Sequence, residues 1–315
     1  MKILVTGAAG QIGSELIVVL RNRYGLENVI TSDIHPKANE SLLKEGPFEL
    51  ADCTNFEQMK KIIKKNHIHT IYHLAAILSA AAEAQPQLAW NVNMNGLYVI
   101  LELAREYHCS VFTPSSIGAF GPTTPRDRTP QDTIQRPTSL YGITKVAGEL
   151  LCDYYFLKHG VDTRGLRYPG IISNVTLPGG GTTDYAVEIF YAAIKDKKYC
   201  CFLKPGTYLD MMYMPDALRA AIELMETDPK NLKHRNAFNV TAMSFAPEHI
   251  YAEIKKHIPE FEMSYQIDPV RQRIADSWPR SMDDSAAREE WGWAPEYDLP
   301  KMTSDMIQTL KKKLK

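Results

Sequence analysis

Several things are scarce or missing in this 315-residue chain, and each absence narrows its reading. There are five cysteines, Cys53, Cys109, Cys152, Cys200 and Cys201, an odd number with no C-x-x-C pair. That pattern indicates neither a disulfide framework nor a zinc site, and it fits a reducing, cytoplasmic setting. No metal is expected from the nine scattered histidines. His67 and His69 have a spacing that can hold one, but they sit where a strand begins, and a turn-to-strand edge is the plainer account. No sign of charge dominates: 36 lysines and arginines face 37 aspartates and glutamates, for a net charge of −1. Neither nucleic acid nor a membrane surface is therefore expected as a partner. The one basic run, "KKKLK" at 311–315, closes a helical pattern, where the helix dipole favours positive charge. No apolar run approaches the ~18 residues of a membrane span. The residues after Met1 run straight into a strand rather than a signal peptide.

What is present begins with a 44% hydrophobic content, enough for a sizeable core. "KILVTG" reads as a buried strand running into glycine, and "GAAGQIG" follows with Gly7, Gly10 and Gly13. "SELIVVLRNRY" then has helical spacing, and a second strand, "NVITSD", ends at Asp33. Each part has a physical reason. Gly7 permits a tight turn, Gly10 lets backbone approach a pyrophosphate, and Gly13 lets the helix pack closely on the strand. The helix N-terminus offers free N–H groups and a positive dipole to phosphates. Asp33 would accept hydrogen bonds from the adenosine ribose and repel a 2′-phosphate, which predicts NAD over NADP.

The alternation continues. "GPFELADCTN" is a short strand ending at Asp52, a candidate for the adenine ring. "TIYHLAAI" is a buried strand ending in small residues, where a cofactor backbone could pass. "AWNVNMNGLYVILELAREY" and "SLYGITKVAGELLCDYYFLKHG" are long helices, and "SVFTPSS" is a strand ending at Ser115 and Ser116. Strands alternating with helices to about residue 170 predict an α/β fold, a doubly wound parallel sheet with helices on both faces. Ligands of such sheets bind beyond the carboxyl ends of the strands, where Gly7, Asp33, Asp52, Ala75, Ser116 and Pro169 all fall. Residues 1–170 are expected to form the dinucleotide-binding domain, with return segments at about 207–229 and 236–242. Residues 171–206 and 243–315 are expected to form a smaller mixed α/β substrate domain.

Within the second long helix, "YGITK" puts Tyr141 and Lys145 one helical turn apart on one face. Alone, the pair decides nothing. With a serine at a strand end before it and the glycine loop upstream, it makes a hydride-transfer site. The combination resembles the extended short-chain dehydrogenase/reductase superfamily, in its sugar-nucleotide epimerase branch. The matching motifs are Gly7/Gly10/Gly13, His73–Ala76, Ser115–Gly121 and Tyr141–Lys145, and "SAAREEWGW" at 285–293 is similar to the C-terminal segment. Beyond residue 110, "PSSIGAFGPTTP", "LRYPGIIS", "GTTDYAVEIFYAAI", "MMYMPDALRA" and "IADSWPRSMDDSAAREEWGW" resemble the short-chain L-threonine 3-dehydrogenases, which are distinct from zinc-dependent enzymes of that name. Many members have Ser-Thr where this chain has Ser115-Ser116; a serine hydroxyl makes the same hydrogen bond.

The resemblance implies NAD as cofactor and oxidation of the C3 hydroxyl of L-threonine to 2-amino-3-oxobutyrate. Tyr141, Lys145 and Ser116 would be catalytic. An unperturbed tyrosine has a pKa of ~10, and a neighbouring ammonium and the positive nicotinamide ring would favour the phenolate. Lys145 would also hold the nicotinamide ribose, and Ser116 would orient the substrate hydroxyl. The implied cofactor site comprises Gly7, Gly10, Gln11, Ile12, Gly13, Asp33, Ile34, Asp52 and Cys53. It continues through Leu74, Ala75, Ala76, Asn93, Pro114, Tyr141, Lys145, Tyr168 and Ile171. The implied substrate site comprises Ser79, Ser115, Ser116, Tyr141, Gly181, Thr182, Thr183 and Trp278. "PGGGTTD" at 178–184 could form a nest of backbone N–H groups around a carboxylate, or a surface loop. Trp278 could close over the substrate methyl group, or fill the core.

Two other functions remain open from the residues. A UDP-sugar 4-epimerase needs basic residues for a nucleotide diphosphate, and Arg271, Arg273 and Arg280 cluster in the second domain. A dinucleotide-sensing regulator would be expected to lose the Tyr–Lys pair, which this chain keeps. Arg167 lies within a strand, so a structural role is expected for it. A homodimer through a four-helix bundle is also expected. Leu97, Ile100, Leu101 and Ala104, and Ala147, Leu150, Leu151 and Tyr154, are read as the sheet-facing stripes of the two long helices. Tyr98, Val146 and Tyr155 are the apolar surplus left for a partner.

Overall fold

The structure, a computed structural model, describes residues 1–35, 45–177, 179 and 181–314. Its centre is a six-stranded parallel sheet. The strands that build it are β1 (Ile3–Thr6), β2 (Val29–Asp33), β3 (Phe48–Leu50), β4 (Thr70–His73), β5 (Ser110–Phe112) and β7 (Thr163–Arg164), in the order β3-β2-β1-β4-β5-β7. β6 (Ser115–Ser116) lies outside it, in a three-stranded sheet with Leu166–Tyr168 and Phe238–Asn239. β1 pairs on one side with β2, Ile3 opposite Val29, and on the other with β4, Ile3 opposite Thr70. The chain thus changes direction of travel across the sheet between β1 and β4, which opens a crevice beyond their carboxyl ends. β1 and β2 are buried along their whole length, as a sheet covered on both faces requires. Leu4, Ile30, Ile71 and Val111 from the strands form one core with Met59, Ile63, Ile100 and Leu103 from the helices.

The chain forms two compact units. The first is Met1–Ser116, Leu140–Arg167 and Ala221–Phe238; the second is Ile117–Ser139, Tyr168–Ala220 and Asn239–Lys315. This differs from the expected division at 170 with returns at 207–229 and 236–242. The reason is strand pairing: Leu209–Tyr213 pairs in parallel with Gly170–Ile172 and antiparallel with Met243–Phe245, a sheet of the second unit's own. Residues 207–220 therefore stay with that unit. The second unit has its own core, including Tyr185, Phe190, Met211, Phe245, Trp278 and Met306.

Two long helices of the first unit carry the candidate site. One runs from Pro86 to Trp90, loosens into a π-helical turn at Asn91–Asn95, and continues as Gly96–Tyr107. Such turns often mark functional positions. Its Leu97, Ile100, Leu101 and Ala104 are buried as expected, and Tyr98 is exposed. The other, Leu140–His159, is turned differently from the expected stripe. Tyr141, Thr144, Gly148, Cys152 and Tyr155 face inward, while Leu150 and Tyr154 face solvent. The inward face is chosen by closeness of approach rather than by hydrophobicity. A Cβ on Gly148 would already lie 3.1 Å from Leu97 Cδ2.

Arg164, at the end of β7, ties the return segment to the sheet. Its guanidinium donates to Asp162 at 2.8–2.9 Å and to the carbonyls of Leu224 and Thr227, both at 2.7 Å. Nearly buried, it satisfies the carbonyl end of helix Met214–Glu226. Arg164→Met should lower stability by about 2 kcal/mol, because the Leu224 and Thr227 carbonyls lose their donor and Asp162 loses one of its two arginines. Urea unfolding checks this; an unchanged midpoint would refute the tie.

His73, fully buried at the end of β4, bonds through Nδ1 to Thr6 Oγ1 of β1 at 2.8 Å. Burial, and secondarily the charge of Lys145, push its pKa down to about 3. An unfolded histidine titrates near 6.5, so between pH ~6.5 and ~3 the unfolded chain binds more protons. Stability should fall with pH across that window and be fully retained above it. His73→Gln should show a flatter decline in urea unfolding at pH 7, 6 and 5; an equal slope would remove His73 as a cause.

Candidate active site

The glycine turn after β1 is set by contact with the end of β4. Gly7 has φ 67°, and a Cβ there would lie 2.6 Å from Ala75 N. At Gly13 a Cβ would lie 2.3 Å from Gly7 O, so turn and helix also meet without room for a side chain. The helix Gln11–Tyr24 starts with Gly10 as its cap, with no side-chain cap bond and no acidic residue in its first turn. Its first N–H groups and positive dipole end are thereby left for an anion.

Around this turn lies a cavity of about 350 Å³. Gly7, Gly10, Asp33, Ile34, Asp52, Cys53, Leu74, Ala75 and Ala76 all line it, so these expected cofactor residues converge. Asp33 is nearly buried and accepts from Ala9 N at 2.9 Å and His35 N at 3.0 Å, one bond to each oxygen. Those two donors fix its direction, and lone pairs remain for a further donor. Asp52 folds back locally: its Oδ1 accepts from Thr54 N and Thr54 Oγ1, both at 2.8 Å. Burial, and then Asp52, push the Cys53 thiol up to about 12, so it is an inert wall. Gln11 and Ile12 are partly buried in the first helical turn. Thr6, Ala9, His35, Ile77, Leu88, Asn91 and Val92 also line the cavity and had no sequence signal beyond adjacency.

A second, smaller cavity shares Leu74, Ala75 and Ala76 with the first and reaches His73, Asn93, Pro114, Ser115, Lys145 and Glu149. Of the expected catalytic residues, Lys145 lines it. Tyr141 is buried in the first turn of its helix. Lys145 Nζ lies 5.4 Å from the centre of the Tyr141 ring and donates to Pro114 O at 2.7 Å. Pro114 leads directly into Ser115 and Ser116 of β6, and Ser116 is partly buried. Asn93 sits in the π-helical turn and acts as a clamp. It accepts from Ile77 N at 2.8 Å, and donates to Ile77 O and Thr144 Oγ1 at 3.1 Å each. Thr144 donates in turn to Tyr141 O at 2.8 Å. Ser79 is buried at the start of helix Ser79–Ala84, from which Glu83 accepts the N–H of Leu140 at 2.7 Å.

Ser115, expected at the substrate, donates its hydroxyl to Glu149. Arg167 lies in its strand with a structural partner, as expected: it makes a two-pronged pair with Glu149, Nε to Oε1 at 3.0 Å and Nη2 to Oε2 at 2.8 Å. Glu149 was missed; its only sequence cue is its position one turn after Lys145. In the second unit, Tyr168 is buried and its hydroxyl donates to Ala217 O at 2.6 Å. Ile171 lies in the strand Gly170–Ile172, partly buried. Gly181 N–H is taken by Asp184, and Thr182 is buried. Thr183 O accepts Ala186 N at 3.1 Å, so 181–184 leads into helix Tyr185–Lys195. Pro178 and Gly180 of the expected loop lie outside the described residues. Trp278 is part of the second unit's core. Among the described residues no three His, Cys, Asp or Glu come together as a metal site, and no helix is long and apolar enough to cross a membrane.

Known proteins are similar to this chain. The family described as "NAD dependent epimerase/dehydratase family" matches residues 3–241. An uncharacterized epimerase/dehydratase of Staphylococcus haemolyticus is 54% identical over 99% of this chain and 98% of its own. The solved structure of L-threonine dehydrogenase from Clostridium difficile has a TM-score of 0.98 at 57% identity, covering 99% of this chain and 98% of that one. A monomeric L-threonine 3-dehydrogenase from a metagenome has a TM-score of 0.95 at 46% identity, covering 99% and 100%. UDP-glucose 4-epimerase from Thermotoga maritima, at 23% identity and a TM-score of 0.85, shares the fold alone. A glycine turn packed on Ala75, an acid at the end of β2 and a Tyr–Lys helix thus stand in a chain that belongs to the NAD dependent epimerase/dehydratase family.

Proposed function

We propose that this protein is an NAD-dependent L-threonine 3-dehydrogenase, oxidising the C3 hydroxyl of L-threonine to 2-amino-3-oxobutyrate. The observation that carries the reading is Lys145, set beside the Tyr141 ring and bonded to Pro114 just before Ser115 and Ser116, next to the cavity at the glycine turn, in a chain so similar to proteins of that name. The residues fit NAD. The uncapped helix at Gly10 suits a pyrophosphate, and Asp33, held by two backbone donors, suits paired ribose hydroxyls and disfavours a 2′-phosphate. NAD, when bound, supplies the hydride acceptor. Tyr141 takes the proton of the C3 hydroxyl as the C3 hydrogen leaves with its electron pair. Lys145 places a positive charge beside that tyrosine, and Ser116 orients the hydroxyl. The first unit is the dinucleotide-binding part and the second the substrate-binding part.

The epimerase reading asks for free basic residues to hold a diphosphate. Of the three arginines, Arg271 stacks over Phe202 at 4.3 Å and Arg280 pairs with Asp127, while Arg273 is exposed. The two contacts weigh toward a small substrate.

A homodimer through the two long helices belongs to the same proposal. Trp90, Tyr98, Ile143, Leu150, Tyr154 and Leu157 are all exposed on the first unit, Leu157 to 80%. Exposed apolar residues of this size on two helices are what a two-fold partner would bury. The surplus is not quite the expected one: Tyr155 is buried and bonded to Glu102, while Leu150 and Tyr154 replace it outside.

Mixing the protein with NAD and L-threonine should give NADH absorbance, and Tyr141→Phe should lower turnover by roughly 10²–10⁴ while still binding NAD. Near-normal turnover in that variant removes Tyr141 from the chemistry, and absence of turnover in the unaltered protein removes threonine. In sedimentation at micromolar concentration the protein should run as twice its chain mass of 35.6 kDa, and Leu150→Glu with Leu157→Glu should run as the monomer. A fully active unaltered species at the chain mass would dispose of the dimer as a requirement.

A further inference from the structure

Glu149 and Arg167 are an ion pair with almost no solvent contact, both side chains less than a tenth exposed. Removing two charges from water is costly, and apolar residues of similar size would fill the space at lower cost. The pair therefore needs an account beyond stability. Its surroundings supply one. Glu149 stands one helical turn after Lys145, which itself stands one turn after Tyr141. Lys145 grips Pro114 O, and Glu149 Oε1 accepts the hydroxyl of Ser115. Consecutive turns of one helix thus hold consecutive residues of the segment entering β6. The next residue of that segment is Ser116. Arg167, on the strand adjacent to β6, fixes the Glu149 carboxylate from the far side with two bonds. Asn236 Nδ2 holds the Glu149 carbonyl at 2.9 Å, so the carboxylate's own backbone is also pinned.

We propose that Ser115 and Glu149, braced by Arg167, are positioning residues that set the distance between Ser116 and the Tyr141–Lys145 face of the helix. Resting on the dehydrogenase reading above, this gives Ser115 a role away from the substrate. The hydroxyl's one proton is committed to Glu149, so it is not offered to the substrate. What it contributes is alignment of the reacting groups and of Lys145, a contribution that appears in turnover and in the hold on the cofactor rather than in affinity for L-threonine.

The test uses Ser115→Ala, which leaves the Glu149–Arg167 pair whole, and Ser115→Thr, which restores a hydroxyl. Ser115→Ala should lower kcat by about tenfold to a hundredfold, the scale of a misalignment near 1 Å, with KM for L-threonine nearly unchanged. Ser115→Thr should recover most of the loss. A kcat within twofold of the unaltered protein in Ser115→Ala overturns the proposal. So does a raised KM at constant kcat, which would put Ser115 on the substrate. If the unaltered protein forms no NADH with L-threonine, the substrate reading has failed, and the tether is scored by NADH fluorescence titration. Weaker NADH binding in Ser115→Ala, restored in Ser115→Thr, supports it through Lys145; equal affinities in all three overturn it.

Discussion

The contact on which the site depends is the approach of Gly7 to the backbone of Ala75. At 2.6 Å from an added Cβ, it leaves no room for any side chain. Two strand ends that lie far apart in sequence are locked together there, β1 turning one way into its helix and β4 running on into Leu74–Ala76. The turn can take this form because glycine accepts φ 67° without strain. Everything that borders the groove inherits its position from that lock. The hydrogen bonds of Leu74 N to Thr6 O and of Thr6 Oγ1 to His73 continue it into the sheet. His73 is held neutral by the same burial, so no positive charge arises beneath Lys145.

Sequence made some of this legible because the information is local. The three glycines, the acid ending β2 and the small residues ending β4 are each a requirement of one turn or one strand end, and each can be read from a few neighbours. The Tyr–Lys spacing is local too, since a helical turn guarantees the shared face. The choices that escaped are those made by distant partners. Ser115 precedes Ser116 in every motif sense, yet Glu149, thirty-four residues away, takes its hydroxyl. Trp278 could be assigned to a pocket or a core from its neighbours alone, and the second unit's packing places it in the core. A boundary at 170 follows from the end of the alternation. Whether Leu209–Tyr213 belongs before or after it depends on pairing with Gly170–Ile172, which no local pattern contains.

The turned face of helix Leu140–His159 shows the same limit in sharper form. A hydrophobic stripe is a guide to burial only where the outward surface is polar. This helix is apolar on both sides, so hydrophobicity cannot decide which side faces in. Small residues decide it instead. Gly148 and Cys152 let the helix come close to Leu97 and its neighbours, and Tyr155 reaches over to Glu102. Leu150, Tyr154 and Leu157 are then left outside.

One consequence follows for the chemistry. The helix that carries Tyr141, Lys145 and Glu149 on one side carries the exposed apolar residues on the other. The inward side is polar at its start, where Tyr141, Thr144, Lys145 and Glu149 are each held by a named bond or ring contact, and tightly packed further on. Rotating the helix by one residue, about 100°, would bury the leucines and undo every one of those contacts together. The polar bonds and the close glycine contact therefore outweigh the apolar gain of the alternative rotation. In this helix the site's hydrogen bonds are part of what selects the fold, and the greasy outer face is the cost of that selection.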